Sequence, residues 1–264
     1  MPRKYVKRTR RPRKTTRKPA KRTNRGYVTK AQVARMMARD IETKVSYSNG
    51  QEEQVSNALV TAPYFTQINY QINQGLTQED RIGNKVTHKK ATLRGTIHMR
   101  DYNSLNNTRE LAQIVKLVVF KMKNYQTGIN PTYATFFSKI LQLGSSSIGL
   151  TNTPIDMIRP FNTDVMTVKA VRTFKLGYSF PTANFGSVAP AGTIAPNNDF
   201  KYQAFFNIDL TKAYKKHQVF NDNTLDANND NLFFMVYCCP ADGSAFTSTP
   251  LQITWDLEQY YEDA

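Results

Sequence analysis

In six stretches between Val86 and Glu258 the apolar residues recur at every second position or run on without a break. That period excludes a helical body and demands strands. Between Val86 and Arg100 one parity gives Ala91, Leu93, Ile97 and Met99, and the other gives His88, Lys90, Arg94, His98 and Arg100. The pattern predicts a half-buried strand with a basic exposed face. Leu111–Met122 and Leu232–Cys239 are almost continuously apolar, as strands covered on both sides are. Alternation marks Met166–Tyr178, Phe200–Leu210 and Leu251–Leu257 as further strands, and weaker candidates lie at Ile41–Ser48 and Gln54–Thr61. The total is about eight strands.

Two segments carry a helical period instead. Thr29 can cap a short helix reaching Lys44, with Val33, Met36, Met37 and Ile41 on one side. Asn130-Pro131 offers a start, Tyr133, Phe136, Phe137, Ile140 and Leu141 form a stripe, and Gly144 offers a stop. The spacing predicts one inserted helix near 131–143. Strands without regular helix crossovers imply antiparallel pairing. Long connections at 144–164, 179–199 and 211–230 suit an all-β, eight-stranded antiparallel jelly roll, a two-sheet sandwich, better than an immunoglobulin-like one with its shorter loops. Such long loops supply subunit contacts and outer surface in this reading. No repeat or linker divides 40–264.

Charge separates this body from what precedes it. The first acidic residue is Asp40, and sixteen Lys and Arg residues come before it. Residues 40–264 hold the remaining 20 basic residues against all 20 acidic ones, so the whole net charge of +16 sits on residues 1–39. Thirteen of the sixteen are Arg3, Lys4, Lys7, Arg8, Arg10, Arg11, Arg13, Lys14, Arg17, Lys18, Lys21, Arg22 and Arg25. Almost no apolar side chain accompanies them, and self-repulsion predicts a disordered arm over 1–26. A one-sided polycation requires a polyanion. Arg predominates, and its planar fork grips phosphate bidentately. With no base-reading scaffold in the arm, binding is expected to be electrostatic and salt-sensitive, with Tyr5 and Tyr27 available to stack on unpaired bases. The runs Arg8–Lys14 and Arg17–Arg22 also fit a nuclear-localisation signal. Pro2, Pro12 and Pro19 argue against an amphipathic transit helix, and no run reaches the ~18 apolar residues of a membrane span.

A search for catalytic groups is nearly empty. His88 and His98 lie ten residues apart along one strand, too far to share a metal, and His217 stands alone. No nucleophile elbow or phosphate-binding lysine loop is present. Asp222, Asp226 and Asp230 with their Asn neighbours offer oxygen ligands, but the glycine and closing glutamate of a calcium loop are absent, so they read as a solvated loop. Calcium there would bridge subunits. Cys238 and Cys239 are adjacent and predicted to be reduced, packed thiols. No enzyme activity, cofactor or structural metal is expected.

Gln74-Gly75, Gln78-x-x-Arg81-Ile82-Gly83-Asn84-Lys85-Val86 and Leu93-Arg94-Gly95 form a segment leading into a core strand. It resembles a stretch in the capsid proteins of circular, Rep-encoding single-stranded DNA viruses; plant satellite viruses and some single-stranded RNA viruses carry similar segments. The resemblance implies a single-jelly-roll coat protein, about sixty copies forming a small icosahedral shell with arms turned inward around single-stranded DNA. It implies location in the virion and, during assembly, in the host nucleus, with import machinery as a further partner. Arg81 is assigned a pairing across a subunit edge, with an intrachain ion pair as the alternative, and Gly83 a tight turn. The competing readings are the coat protein of a small or satellite RNA virus and a cellular nucleic-acid-binding protein with a basic tail.

Overall fold

Four strand pairs nest inside one another like a long hairpin folded over. A computed structural model describes residues 29–30, 32–33, 42–56, 63–77, 80–100, 112–123, 136–177, 202–222, 224–228, 231–243 and 249–263. The chain divides into two units, Met1–Asp40 and Ile41–Ala264. All described strands belong to the second: β1 (Thr43–Val55), β2 (Tyr64–Gln67), β3 (Lys85–Met99), β4 (Gln113–Met122), β5 (Leu141–Leu143), β6 (Ser146–Ile148), β7 (Met166–Leu176), β8 (Gln203–Asp209), β9 (His217–Val219), β10 (Leu232–Pro240) and β11 (Leu251–Asp263).

Sheet A runs β1-β11-β3-β8, with β9 pairing beside β3, and sheet B runs β2-β10-β4-β7. Every pairing is antiparallel. Setting aside β9 and the small β5–β6 hairpin, the first strand pairs with the last, the second with the second-last, and so inward. This is the jelly roll that the alternation predicts. β9, β2 and the β5–β6 hairpin were invisible to period counting, because three or four residues are too few to show a period.

The sheets enclose one core. Val115, Leu117 and Val119 of β4 and Leu232, Phe234, Val236 and Cys238 of β10 face Leu93, Ile97, Ile253 and Leu257 of sheet A. The other parity of sheet B is buried too: Val118, Phe120, Met122, Phe233, Met235 and Tyr237 pack beneath Phe136, Phe137, Ile140 and Leu141. The segment 136–165 therefore lies as a cover over the outer side of sheet B, which is why β4 and β10 are apolar on both sides. Each large side chain so buried stabilises by about 1.5–3 kcal/mol. Trp255 of sheet A donates its indole N–H to Tyr64 Oη of sheet B at 2.7 Å, a hydrogen bond from sheet to sheet.

The cover corrects two expectations. Within the predicted helix near 131–143, only Phe136 and Phe137 are helical among the described residues; a turn follows, and Leu141–Leu143 is strand β5. The apolar stripe is real, but it packs on sheet B from a turn and a hairpin, since burial needs only that the residues share a face. The predicted loop 144–164 is likewise part of this cover, with β6, a 3-10 turn at Pro154–Met157, and Ile148, Leu150, Met157 and Phe161 packed inward. The helix expected from Thr29 to Lys44 does not extend to Lys44, since β1 begins at Thr43; among the described residues of this stretch only Lys30, Gln32 and Val33 are helical. The 179–199 connection lies outside the described residues.

Candidate nucleic-acid interface

The thirteen arm residues from Arg3 to Arg25, with Tyr5 and Tyr27, lie outside the described residues. The first described turn follows them. Gln32 N donates to Thr29 Oγ1 at 3.2 Å, and Thr29 N donates back to Gln32 Oε1 at 2.9 Å. This reciprocal capping box makes Thr29 the helix start predicted from the sequence.

In the second unit, the uncovered side of sheet A is the open face. Its outward residues form rows across the strands. Asn49, Asp256, Arg94 and Asn207 make one row. Thr254, Thr96 and Phe205 make the next, and Gln252, His98 and Gln203 the one after. Phe205 is 75% exposed and Tyr47 60%. The basic row predicted on β3 is present, but β11 lays acids beside it. Arg94 pairs with Glu258 at 3.2 Å and Lys89 with Glu262 at 2.6 Å. Lys44 of β1 pairs with Asp263 at 2.8 Å. His98 hydrogen-bonds Gln252 at 3.2 Å. The open face is thus charge-balanced rather than basic. Surface pairs such as Arg94–Glu258 contribute only ~0–1 kcal/mol each to stability, whereas the Lys44 side chain is buried at the sheet's edge.

His88 departs from the expected exposure. The register between β3 and β11 shifts at Tyr260 and Tyr261, so that Lys89 is the extra residue of a bulge. A bulge reverses strand parity. His88 consequently turns inward and is 7% exposed. Its Nε2 donates to the Thr211 carbonyl at 3.1 Å, and its Nδ1 shares a 2.5 Å hydrogen bond with Tyr70 Oη. It is a structural histidine. His217 lies 3.4 Å from Thr87, on another edge.

Arg81 is fully buried inside its own chain. Nη1 donates to the Gly83 carbonyl at 2.7 Å and to Asn84 Oδ1 at 2.9 Å. Nη2 donates to the carbonyls of Asn221 at 3.0 Å and Thr224 at 2.9 Å. The guanidinium stacks 4.6 Å from the Phe220 ring centroid. This corrects the expected pairing across a subunit edge: no part of the side chain is left to meet another copy. The intrachain alternative holds, though through carbonyls rather than an ion pair. Gly83 serves through its carbonyl. The 211–230 connection is accordingly pinned to the 81–84 loop. Asp222 accepts from Asn84, and Asp226 accepts from Gln71 at 3.0 Å. These two aspartates thus hold the loop in place, and Asp230 lies outside the described residues. Among the described residues no group of three His, Cys, Asp or Glu could hold a metal ion.

One buried polar cluster escaped the sequence reading. Lys116 sits in the middle of β4, 7% exposed, and donates to the Met157 carbonyl at 2.6 Å. Its ammonium lies 5.2 Å from the Phe161 ring centroid. Burial pushes its pKa down, against the opposing pull of Asp156. Asp156, fully buried, accepts from the amides of Thr151 at 2.6 Å and Asn152 at 2.8 Å. The cluster fastens the cover to sheet B. Cys238 and Cys239 are free and buried, and burial raises the pKa of both thiols, Cys239 to about 12. Neither is a thiolate nucleophile near neutral pH.

The second unit is a jelly-roll domain. No family model matches the sequence, and no curated protein matches it. Among solved structures, the chain is similar to a chain of Desmodium yellow mottle tymovirus, with 13% identity, 84% of this chain and 89% of that chain covered, and a TM-score of 0.32. Among the described residues no helix is long and apolar enough to cross a membrane.

Proposed function

We propose that this chain is a viral coat protein that assembles with copies of itself into a small icosahedral shell and packages a single-stranded DNA genome through its arm. The observation that carries the reading is the charge partition: +16 on residues 1–39, joined to a jelly roll of zero net charge. A neutral body packs against its own copies without self-repulsion, while the arm gathers the polyanion. About sixty arms would bring about 960 positive charges, which balances on the order of a thousand phosphates, the scale of a small genome rather than of one regulatory site. The charge-balanced open face of sheet A supports the same division, because it leaves phosphate binding to the arm. The resemblance of the segment from Gln74 to Gly95 supports the capsid role. Nuclear entry through Arg8–Lys14 and Arg17–Arg22 and residence in the virion follow from this role. The chain acts structurally, without an active site.

Electron microscopy of the purified full-length protein tests the proposal. Shells of ~20 nm containing single-stranded nucleic acid are expected. Deletion of residues 1–26 should leave the jelly roll folded and empty the shells. A monodisperse monomer that never assembles overturns the coat-protein reading.

A further inference from the structure

We propose that the open face of sheet A holds an unpaired nucleobase of the packaged strand, with the Phe205 ring as its stacking platform. The inference rests on the coat-protein reading and adds a second nucleic-acid contact to the arm. A lone exposed phenylalanine would mean little. This one borders a shallow cavity of about 530 Å³ at the centre of the sheet, within the ~300–1,000 Å³ range of ligand clefts. Asn49, Gln51, Arg94, Asn207 and Asp256 line it with Phe205.

The chemistry of that lining selects a base. Asn and Gln amides each present a donor and an acceptor in one plane, as base edges do. An exposed ring on a sheet is the usual stacking surface for an unpaired base. Phosphate is disfavoured here, because Arg94 is already paired with Glu258 at 3.2 Å and Asp256 lies opposite it in the register. The edges of Phe206 and Trp255 add apolar surface beside Phe205, which suits the face of a base; a second protein copy is the rival occupant that the experiment below separates. The arm joins the body just before β1, the edge strand of this same sheet. The arm would hold phosphates and the sheet would hold a base.

The two contributions separate by salt. Full-length protein would be titrated with an oligothymidylate of ~15 nucleotides and with an abasic strand of the same length. Near 0.1 M salt both strands bind through the arm. Near 0.5 M the arm's share falls, and wild type should then prefer the base-bearing strand by roughly tenfold. Phe205→Ala should abolish that preference, leaving low-salt binding and the thermal midpoint unchanged, and Phe205→Trp should keep it. Wild type without a preference, or Phe205→Ala with the wild-type preference, overturns the site. So does a Phe205→Ala protein that stops assembling yet still discriminates, since the ring would then be a subunit contact. Binding of neither strand at low salt would instead sink the coat-protein reading, and the base site with it.

Discussion

Arg81 donates from Nη2 to the backbone carbonyl of Asn221 at 3.0 Å, across 140 residues of chain. One side chain thus ties the loop before β3 to the loop after β9, with every partner inside the same subunit. Arg81→Ala should destabilise the fold by about 3 kcal/mol or more, because buried carbonyls lose charged donors. Arg81→Lys should recover less than half, since an ammonium cannot span the fork. Urea unfolding of the dissociated protein measures both. Unchanged stability with failed assembly would return Arg81 to the interface.

Lys116 separates charge from stem. Lys116→Met keeps the buried carbons and removes an ammonium whose pKa burial already lowers. It should change stability by less than about 1 kcal/mol. Lys116→Ala leaves a gap below Phe161 and should cost about 2 kcal/mol or more. Chemical denaturation of the two variants checks the order.

Gly50 makes room for the indole of Trp255. A Cβ there would lie 2.3 Å from Nε1, so Gly50→Ala must displace the ring and stretch its 2.7 Å bond to Tyr64. The expected cost is about 1–3 kcal/mol. Trp255 is the only tryptophan, so its emission should shift to the red, an assay specific to this site.

Alkali should weaken the fold. Burial raises the pKa of Cys239 from 9.0 and Tyr64 from 10.0, each to about 12, and pushes Cys238 and Tyr237 up as well. The folded chain keeps these protons where the unfolded chain has lost them. Their contribution is therefore complete below pH 9 and is lost as pH rises toward about 12. Lys116 works in the opposite direction, one group against four. Thermal midpoints should fall between about pH 8 and pH 10.5. Cys238→Ala/Cys239→Ala should flatten part of that fall.

Binding of single strands by the arm should follow salt steeply, with log affinity linear in log salt. Deleting residues 1–26 should reduce that slope to near zero in filter binding. A steep slope surviving the deletion would assign the phosphates to the jelly roll.

The alternation of β3, β7, β8 and β11 was legible because period two is a local property of the chain, and the unbroken apolar runs of β4 and β10 announced that both their faces are covered. The charge partition at Asp40 was equally plain, being a matter of counting. Tertiary structure alone decided what does the covering, since Phe136, Phe137, Ile140 and Leu141 form the same stripe whether helix or turn presents them. The bulge at Lys89 turned His88 inward because register belongs to a pair of strands and β11 lies far away in the sequence. In the sequence Arg81 reads as an edge residue and Lys116 as one interruption of an apolar run; carbonyls at Asn221 and Met157 make both interior cations. A charge is buried only where distant backbone supplies its partners, and no local pattern records where that backbone will be.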